Sequence, residues 1–392
     1  MSAPGLLFIV NSLETGGAEN QVVTLLNHLE ASRFRLHLAY LKRGSQLLPQ
    51  LRTERLASIA CCNVTRRIDL AAVRQLRRII LERNIDAIVC TNSYPTLYGR
   101  LAARGCEPAP RLVTVFHTTV LQTRKQKIQM LLYRRLFSRC DLLVYVCEGQ
   151  RRYWRARGLH LAEDEVVYNG IDTEWFTERR PGAEQLAFRR GLGFGTEDFV
   201  IGICSGLRPE KAHGDLLAAV ARLRQRGVPA KALLIGEGPE RPAIEHAIAG
   251  LDLREHVRIT GLVADVRPFI GACDVMTLVS HSETFSLAAL ESMSLGKPLV
   301  MSDLGGAAEQ VIPGTNGFLF APGDIEGLAL CLEALTSASL RARLGEAAAG
   351  RVRKLFTVQQ MAGRFSASIE RLLATERNLP VAPSRTPESW HI

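Results

Sequence analysis

Residues 282–300 read SETFSLAALESMSLGKPLV, and they decide how the rest of the chain is read. Glu283 and Glu291 stand eight positions apart. Between them, the turn signal Thr284-Phe285-Ser286 runs into Leu287-Ala288-Ala289-Leu290, a strong helix-forming run. Gly296-Lys297-Pro298 stops that helix, and Leu299-Val300-Met301 begins a buried strand. A helix opening at Ser286 presents unpaired backbone N–H groups and the positive end of its dipole, which suits a phosphate. Glu283 lies just outside that end, beside whatever the phosphate carries, and Glu291 lies about one and a half turns along. Single glutamates are ordinarily solvated surface charges. These two stand out because matching features recur elsewhere in the chain.

Working outward, short apolar runs alternate with longer amphipathic ones, and the pattern occurs twice. Leu6–Val10, Leu36–Leu41, Ala87–Cys90, Leu112–Phe116 and Leu142–Val146 read as strands, with helices over 17–31, 68–83, 94–104 and 124–138. The second round places strands at Phe199–Cys204, Lys231–Ile235, Val257–Thr260, Asp274–Leu278 and Pro298–Met301. Its helices fall at 212–226, 239–250, 264–271, 286–295, 305–312, 324–338 and 339–355, with a last amphipathic helix near 357–374. Strand–helix alternation of this kind predicts parallel sheets wrapped by helices, here two of them. The strands lack strict apolar–polar alternation, as expected when both faces of a sheet are covered. The chain divides into an N-terminal domain over 1–178, a second domain over 179–375 and a disordered tail over 376–392 with Pro380, Pro383 and Pro387.

A length of 392 residues suits two domains of ordinary size, and 47% apolar against 22% charged residues marks a globular protein. The start, Met1 to Val10, has no basic region and reads as a buried first strand, not a leader. No apolar run reaches the ~20 residues that span a bilayer. Nine cysteines without metal-ligand spacing read as reduced thiols, hence a cytoplasmic protein. The net charge of +10 is uneven: residues 1–190 hold 29 Lys and Arg against 17 Asp and Glu, and residues 191–392 hold 20 against 22. The excess peaks over 121–157, with ten basic and two acidic residues. A basic face of this kind suits anionic membrane lipid or a lipid-linked saccharide. Nucleic acid is disfavoured, since no recognisable module accompanies the charge.

The first strand is followed by Asn11-Ser12-Leu13-Glu14-Thr15-Gly16-Gly17-Ala18-Glu19 and then a helix. The paired glycines let backbone approach a ligand closely, but the G-x-G-x-x-G spacing of a dinucleotide fold is absent, which disfavours a dehydrogenase. His117 follows a strand directly, at the carboxyl end where parallel sheets bind ligands. Ser205-Gly206-Leu207-Arg208-Pro209-Glu210-Lys211 closes another strand, with two cations three apart at a strand–helix junction. Cations slightly disfavour a helix start, and fixed ones there can neutralise a diphosphate leaving group.

Taken together, these motifs resemble the retaining glycosyltransferases of family 4, of bacterial cell-surface polysaccharide or lipopolysaccharide type. The likeness runs from Leu6 to Phe356. It takes in Gly16-Gly17-Ala18-Glu19, His117, Tyr168-Asn169-Gly170-Ile171-Asp172 and Leu207-Arg208-Pro209-Glu210-Lys211. Further along it takes in Leu234-Ile235-Gly236-Glu237-Gly238-Pro239, the Glu283 and Glu291 pair, Gly305-Gly306 and Asn316-Gly317-Phe318. The resemblance implies a GT-B fold: α/β, two facing Rossmann-like domains with parallel sheets, and a C-terminal helix that returns to the N-terminal domain. It implies a nucleotide-sugar donor on the second domain, a lipid-linked or glycan acceptor on the first, no metal or other cofactor, and a place on the inner face of the cytoplasmic membrane. Residue by residue, it puts Glu283 and His117 near the donor sugar, Lys211 and Arg208 on the diphosphate, and Glu291 on the ribose hydroxyls. Phe285, Ser286 and Leu287 are to offer backbone to the phosphates, Gly16 and Gly17 to approach from the other domain, and Val263 to line the donor site. Many members carry an arginine where this chain has Gly206. Arg208 then has to substitute for it, and the alternative is a non-catalytic sugar-nucleotide-binding relative.

Overall fold

A computed structural model describes residues 3–119, 124–161, 163–177 and 182–375. The expected boundary at 178 and the tail over 376–392 lie outside the described residues. Two parallel sheets form. The first contains β1 (Gly5–Val10), β2 (Arg35–Tyr40), β3 (Leu56–Cys61), β4 (Ile85–Thr91), β5 (Arg111–Phe116), β6 (Leu142–Tyr145) and β7 (Asp164–Val166), in the order β3-β2-β1-β4-β5-β6-β7. The second contains β8 (Phe199–Cys204), β9 (Ala230–Ile235), β10 (Val257–Ile259), β11 (Val275–Leu278), β12 (Leu299–Ser302) and β13 (Gly317–Phe320), in the order β10-β9-β8-β11-β12-β13. This is the expected α/β architecture of two Rossmann-like domains.

The order reverses between β1 and β4 in the first sheet and between β8 and β11 in the second. At such a reversal the two connecting helices leave on opposite faces, and a crevice opens beyond the carboxyl ends of the strands. All of β1 is buried, because helices cover both faces. β3, β7 and β13 were not anticipated from the sequence. Each lies at a sheet edge, where one side has no partner strand, and each is only partly buried. Their apolar signal is correspondingly weak.

The helix Val358–Ala374 opens on a capping box in which Thr357 and Gln360 bond each other's backbone. It follows the second domain in sequence, yet Met361, Ala362, Phe365, Ile369 and Leu372 complete the core of the first, with Phe365 against Phe8 at 6.0 Å between ring centroids. The expected apolar surface over 121–138 is narrower than its composition suggested. Met130 and Phe137 are buried with Phe116 and Trp154, and among the described apolar side chains of that segment Leu131 is the strongly exposed one. Residues 121–123 and the side chains of 124–129 and 132 are outside the described set. Part of the basic excess is also used internally: Arg151 and Arg155 both pair with the fully buried carboxylate of Asp164, and Arg134 donates to the carbonyl of Gly158. The cysteines are free, and among the described residues no helix is long and apolar enough to cross a membrane.

Truncating the returning helix at its most buried ring tests whether it is integral to the first domain. Phe365→Ala should lower the unfolding free energy by about 3–5 kcal/mol in urea denaturation, since the ring is 1% exposed. A loss under about 1 kcal/mol would mean that the helix is merely attached to the surface.

Candidate active site

Glu283 and Lys211 meet at the β8/β11 reversal. Lys211 Nζ lies 2.7 Å from Glu283 Oε2, and Glu283 Oε1 accepts from its neighbour's N–H, Thr284, at 3.2 Å. Lys211 ends a short 3-10 turn, Pro209–Lys211, which begins right after the β8 loop and hands over to the helix His213–Gln225 through Ala212 at φ 49°. The carbonyl of Glu210 accepts from His281 N at 2.8 Å, which ties this turn to the β11 loop. An ammonium has three donors, so Lys211 can hold Glu283 and still face an anion.

The β8 loop is locked by close backbone contact. A side chain at Gly238 would collide with the backbone of Leu207, and Leu207 N donates to the carbonyl of Glu237 at 3.1 Å. Gly206 is different. A Cβ there would meet Arg208 Nε at 3.5 Å, so the arginine folds over the position that has no side chain. Arg208 also lies within electrostatic reach of Glu19 in the other domain. Burial raises the Glu19 carboxyl pKa above its usual value, with Arg208 among the groups that oppose the rise.

The helix Leu287–Ser294 begins where the sequence placed it, with Ser286 Oγ accepting from Ala289 N at 3.3 Å. Its ring neighbour Phe285 is buried among Tyr168 and Phe356. The backbone of Ser286 is already engaged: its N–H donates to Gln310 Oε1 at 3.2 Å and its carbonyl accepts from Gln310 Nε2 at 2.8 Å. The N–H groups left without a partner among the described residues are those of Leu287 and Ala288. Gly305, at φ 55°, lies against the carbonyls of Glu283 and Thr284, where a Cβ would come to 2.5 and 2.6 Å. The Gly305-Gly306 pair therefore supports the Glu283 loop from behind. Val263 packs on the same cluster as Leu287 and Ala288.

Glu291 has no hydrogen-bond partner among the described residues, and burial alone pushes its carboxyl up to about 7. It sits near Cys204 at the end of β8, whose thiol it helps to keep protonated after the larger effect of burial. His117 follows β5. Its N–H donates to Asn92 Oδ1 at 2.8 Å, and its Nε2 is buried without a partner. Burial lowers its pKa to about 4, so the ring is neutral at pH 7.

The first domain meets this site directly. Thr119 Oγ1 donates to Thr284 Oγ1 at 3.0 Å, joining the loop that carries His117 to the loop that carries Glu283. Gly17 opens the helix Gly17–His28, and a Cβ there would meet nothing within 4 Å. Nothing in the chain's own packing requires that glycine, which leaves room for a ligand in the cleft. Glu19, Thr119, Thr284 and Gln310 also meet here, although none of them had a role assigned from sequence. Glu19 and Thr284 were visible in their motifs, whereas Thr119 and Gln310 owe their place to tertiary contacts.

The family profile described as Glycosyltransferase Family 4 matches residues 15–175, and the one described as Glycosyl transferases group 1 matches 198–338. The chain belongs to the GT-B glycosyltransferases. A D-inositol 3-phosphate glycosyltransferase of Stackebrandtia nassauensis is 33% identical to this GT-B chain over 232 residues, covering 55% of it and 52% of that protein. The chain thus spans about half the length of that relative. The putative glycosyltransferase EpsD of Bacillus subtilis is 27% identical over 314 residues, 77% of this chain and 82% of that one. Among solved structures, Anabaena Alr3699/HepE in complex with UDP matches with a TM-score of 0.81 at 22% identity, covering 94% of this chain and 100% of that one. At that identity the likeness concerns the fold.

The state of Glu291 makes a ribose-binding role testable by pH. Sugar hydroxyls donating to its carboxylate favour the ionised form, and a carboxyl with a pKa of about 7 is largely protonated at pH 6. Calorimetric affinity for whichever nucleoside diphosphate binds should therefore rise from pH 6 to pH 8, by up to about tenfold per unit below the pKa, and then level off. Glu291→Gln should remove that part of the dependence. Identical pH profiles for wild type and variant would take Glu291 out of the nucleotide site.

Proposed function

We propose that this chain is a retaining glycosyltransferase that moves a sugar from a nucleoside-diphosphate sugar on the second domain to an acceptor on the first. The acceptor class is a lipid-linked or polysaccharide glycan of cell-surface synthesis, taken up on the cytoplasmic side of the membrane. The supporting observation is the contact at the β8/β11 reversal: Lys211 pairs with Glu283 at 2.7 Å, and the Leu287–Ser294 helix that follows Glu283 opens with the N–H groups of Leu287 and Ala288 free among the described residues.

In this reading the bond from the anomeric carbon to the diphosphate breaks and its electron pair stays on the departing phosphate oxygen. The acceptor oxygen bonds to that carbon on the same face, and its proton passes to the departing oxygen. Negative charge grows on the diphosphate as this happens, so Lys211, Arg208 and the N–H groups of Leu287 and Ala288 contribute most in the transition state. Positive charge grows on the sugar ring, beside Glu283. His117 offers a neutral ring nitrogen to a sugar hydroxyl, Glu291 takes the ribose, Val263 lines the donor site, and Gly16 and Gly17 close on the phosphates from the first domain. Ser286 contributes its cap, while Leu287 and Ala288 supply the free donors. The chemistry needs no metal or other cofactor.

A screen of nucleotide sugars by thermal shift identifies the donor, because a ligand of the folded state raises the melting temperature. With that donor, Glu283→Gln should lose far more than tenfold in turnover, tenfold being about 1.4 kcal/mol of barrier. Survival within that factor would sink its assignment. Lys211→Ala and Arg208→Ala should both lower kcat more than they raise KM. Kinetics of Arg208→Ala indistinguishable from wild type would show that nothing at 208 replaces the arginine absent at Gly206. Tight nucleotide-sugar binding without any release of the nucleoside diphosphate would favour the non-catalytic alternative.

Docking to an anionic membrane surface belongs to the same proposal. It rests on the basic segment after His117, of which Leu131 at 61% exposed and Arg135 face outward. Co-sedimentation with anionic vesicles should weaken with salt and on replacing Arg124, Lys125, Lys127, Arg134 and Arg135 by glutamine. Wild-type protein remaining in the supernatant at low salt would point to a soluble acceptor.

A further inference from the structure

The first sheet has its own reversal, between β1 and β4, and a cavity of about 530 Å³ opens there. Its walls come from the ends of four adjacent strands: Asn11 after β1, Lys42 after β2, residues 64–67 after β3, and Thr91 with Asn92 at β4. The proposed diphosphate-binding groups, Lys211, Arg208 and the N–H groups of Leu287 and Ala288, belong to the other domain and line none of this cavity.

Three cations border the cavity, Lys42, Arg66 and Arg67, and no carboxylate pairs with them among the described residues. The loop that carries the two arginines is held in place, because Tyr94 Oη donates to the carbonyls of Arg66 and Arg67 at 3.4 and 3.0 Å. Lys42 Nζ sits 5.6 Å from the centre of the same tyrosine ring. The helix Ser93–Ala103 starts in the cavity wall without a side-chain cap. Its N-cap residue, Asn92, sits at φ 64° and spends its side-chain oxygen on His117 N instead. The N–H groups of Ser93 and Tyr94 thus have no partner among the described residues. Two buried polar atoms in the wall are also unpartnered, Asn11 Oδ1 and Thr91 Oγ1, and Thr91 is 3% exposed. Buried polar groups are rarely left unpaired, so orphans gathered around a cavity indicate a ligand that pairs with them.

We infer that this cavity binds the acceptor through a phosphate group that the acceptor carries. The inference deepens the glycosyl-transfer reading and rests on it. Cations in excess, an uncapped helix start and a hydroxyl donor at Thr91 all favour an anion of high charge density. The planar guanidinium groups of Arg66 and Arg67 suit phosphate oxygens in particular. Among the cavity's described lining residues the one carboxylate is Glu19, which lies against Gly16 and within electrostatic reach of Arg208, and would repel the phosphate while accepting a hydrogen bond from a sugar hydroxyl. The phosphate therefore lies toward Arg66 and Arg67, and the hydroxyl to be glycosylated lies toward Glu19 and the donor. Thr91 stands between this cavity and the small one beside His117, which puts the acceptor next to the reacting centre.

The same phosphate chemistry can come from a soluble phosphomonoester or from a lipid diphosphate, and binding to the full chain separates them. With the nucleotide site first saturated by UDP or whichever nucleoside diphosphate binds, calorimetry is run with glycerol 3-phosphate and with inorganic pyrophosphate. Flotation is run with neutral phosphatidylcholine vesicles carrying a polyprenyl diphosphate sugar. Binding in either arm should weaken at least about tenfold when Lys42, Arg66 and Arg67 are replaced together by glutamine, and glycerol without phosphate should not bind. Response in the soluble arm identifies a soluble phosphorylated acceptor; response in the vesicle arm identifies a lipid diphosphate. No response in either arm, or equal binding by wild type and the triple variant, overturns the inference. Nucleoside-diphosphate binding by the same variant checks its fold. Its absence in the wild type would instead defeat the glycosyl-transfer reading.

Discussion

Glu309 accepts hydrogen bonds from the N–H groups of Glu148 and Gly149 at 2.9 and 2.7 Å, the first turn of a helix in the other domain. A carboxylate placed on the positive end of a helix dipole is a charge-assisted contact, about twice as strong as a neutral hydrogen bond. Glu309 lies on the short helix Ala307–Gln310, whose Gln310 holds the backbone of Ser286. One short helix therefore fixes the domains against each other and sets the start of the candidate phosphate-binding helix. The glycines around it allow this closeness. A side chain at Gly149 would strike the carbonyl of Gly305, and one at Gly306 would strike Phe285 at 2.7 Å and Cys147 at 2.9 Å.

The second restraint is the chain's own path. It crosses to the second domain after Asn169, whose side chain donates to the carbonyl of Phe285 at 3.4 Å, and Gly170 accepts from Gln21. It then crosses back at Thr357, where Ile171 forms a parallel bridge and the two segments exchange backbone hydrogen bonds. The two crossings therefore run side by side and are joined by backbone hydrogen bonds.

Electrostatics within the cleft follow from that placement. Glu283 has Lys211 as its partner and stays paired, whereas Glu291 is buried without one and is raised to about 7. His117 is kept neutral by the same desolvation. The two glutamates thus sit in different surroundings, one against an ammonium and the other without a partner among the described residues.

Much of this was legible in the sequence. Strong helix formers after Ser286, the glycine and proline that end that helix, and apolar runs without alternation fix helices and central strands by local propensity and burial, so two parallel sheets could be read directly. Glu283, Lys211 and Arg208 stand out in the sequence because they sit at strand–helix junctions, and the fold brings Lys211 and Glu283 to 2.7 Å. What the sequence could not reveal lies at edges and between domains. β3, β7 and β13 are half-covered edge strands with little apolar signal. Whether the N–H of Ser286 is free depends on Gln310, 24 residues away, and whether Gly206 leaves a gap depends on how Arg208 folds back. The cavity bordered by Lys42, Arg66 and Arg67 joins four strand ends that are separate in sequence. Local propensity determines elements, because it acts over a few residues. The pairing, exposure and charge state of each site group depend on neighbours that only the folded chain brings together.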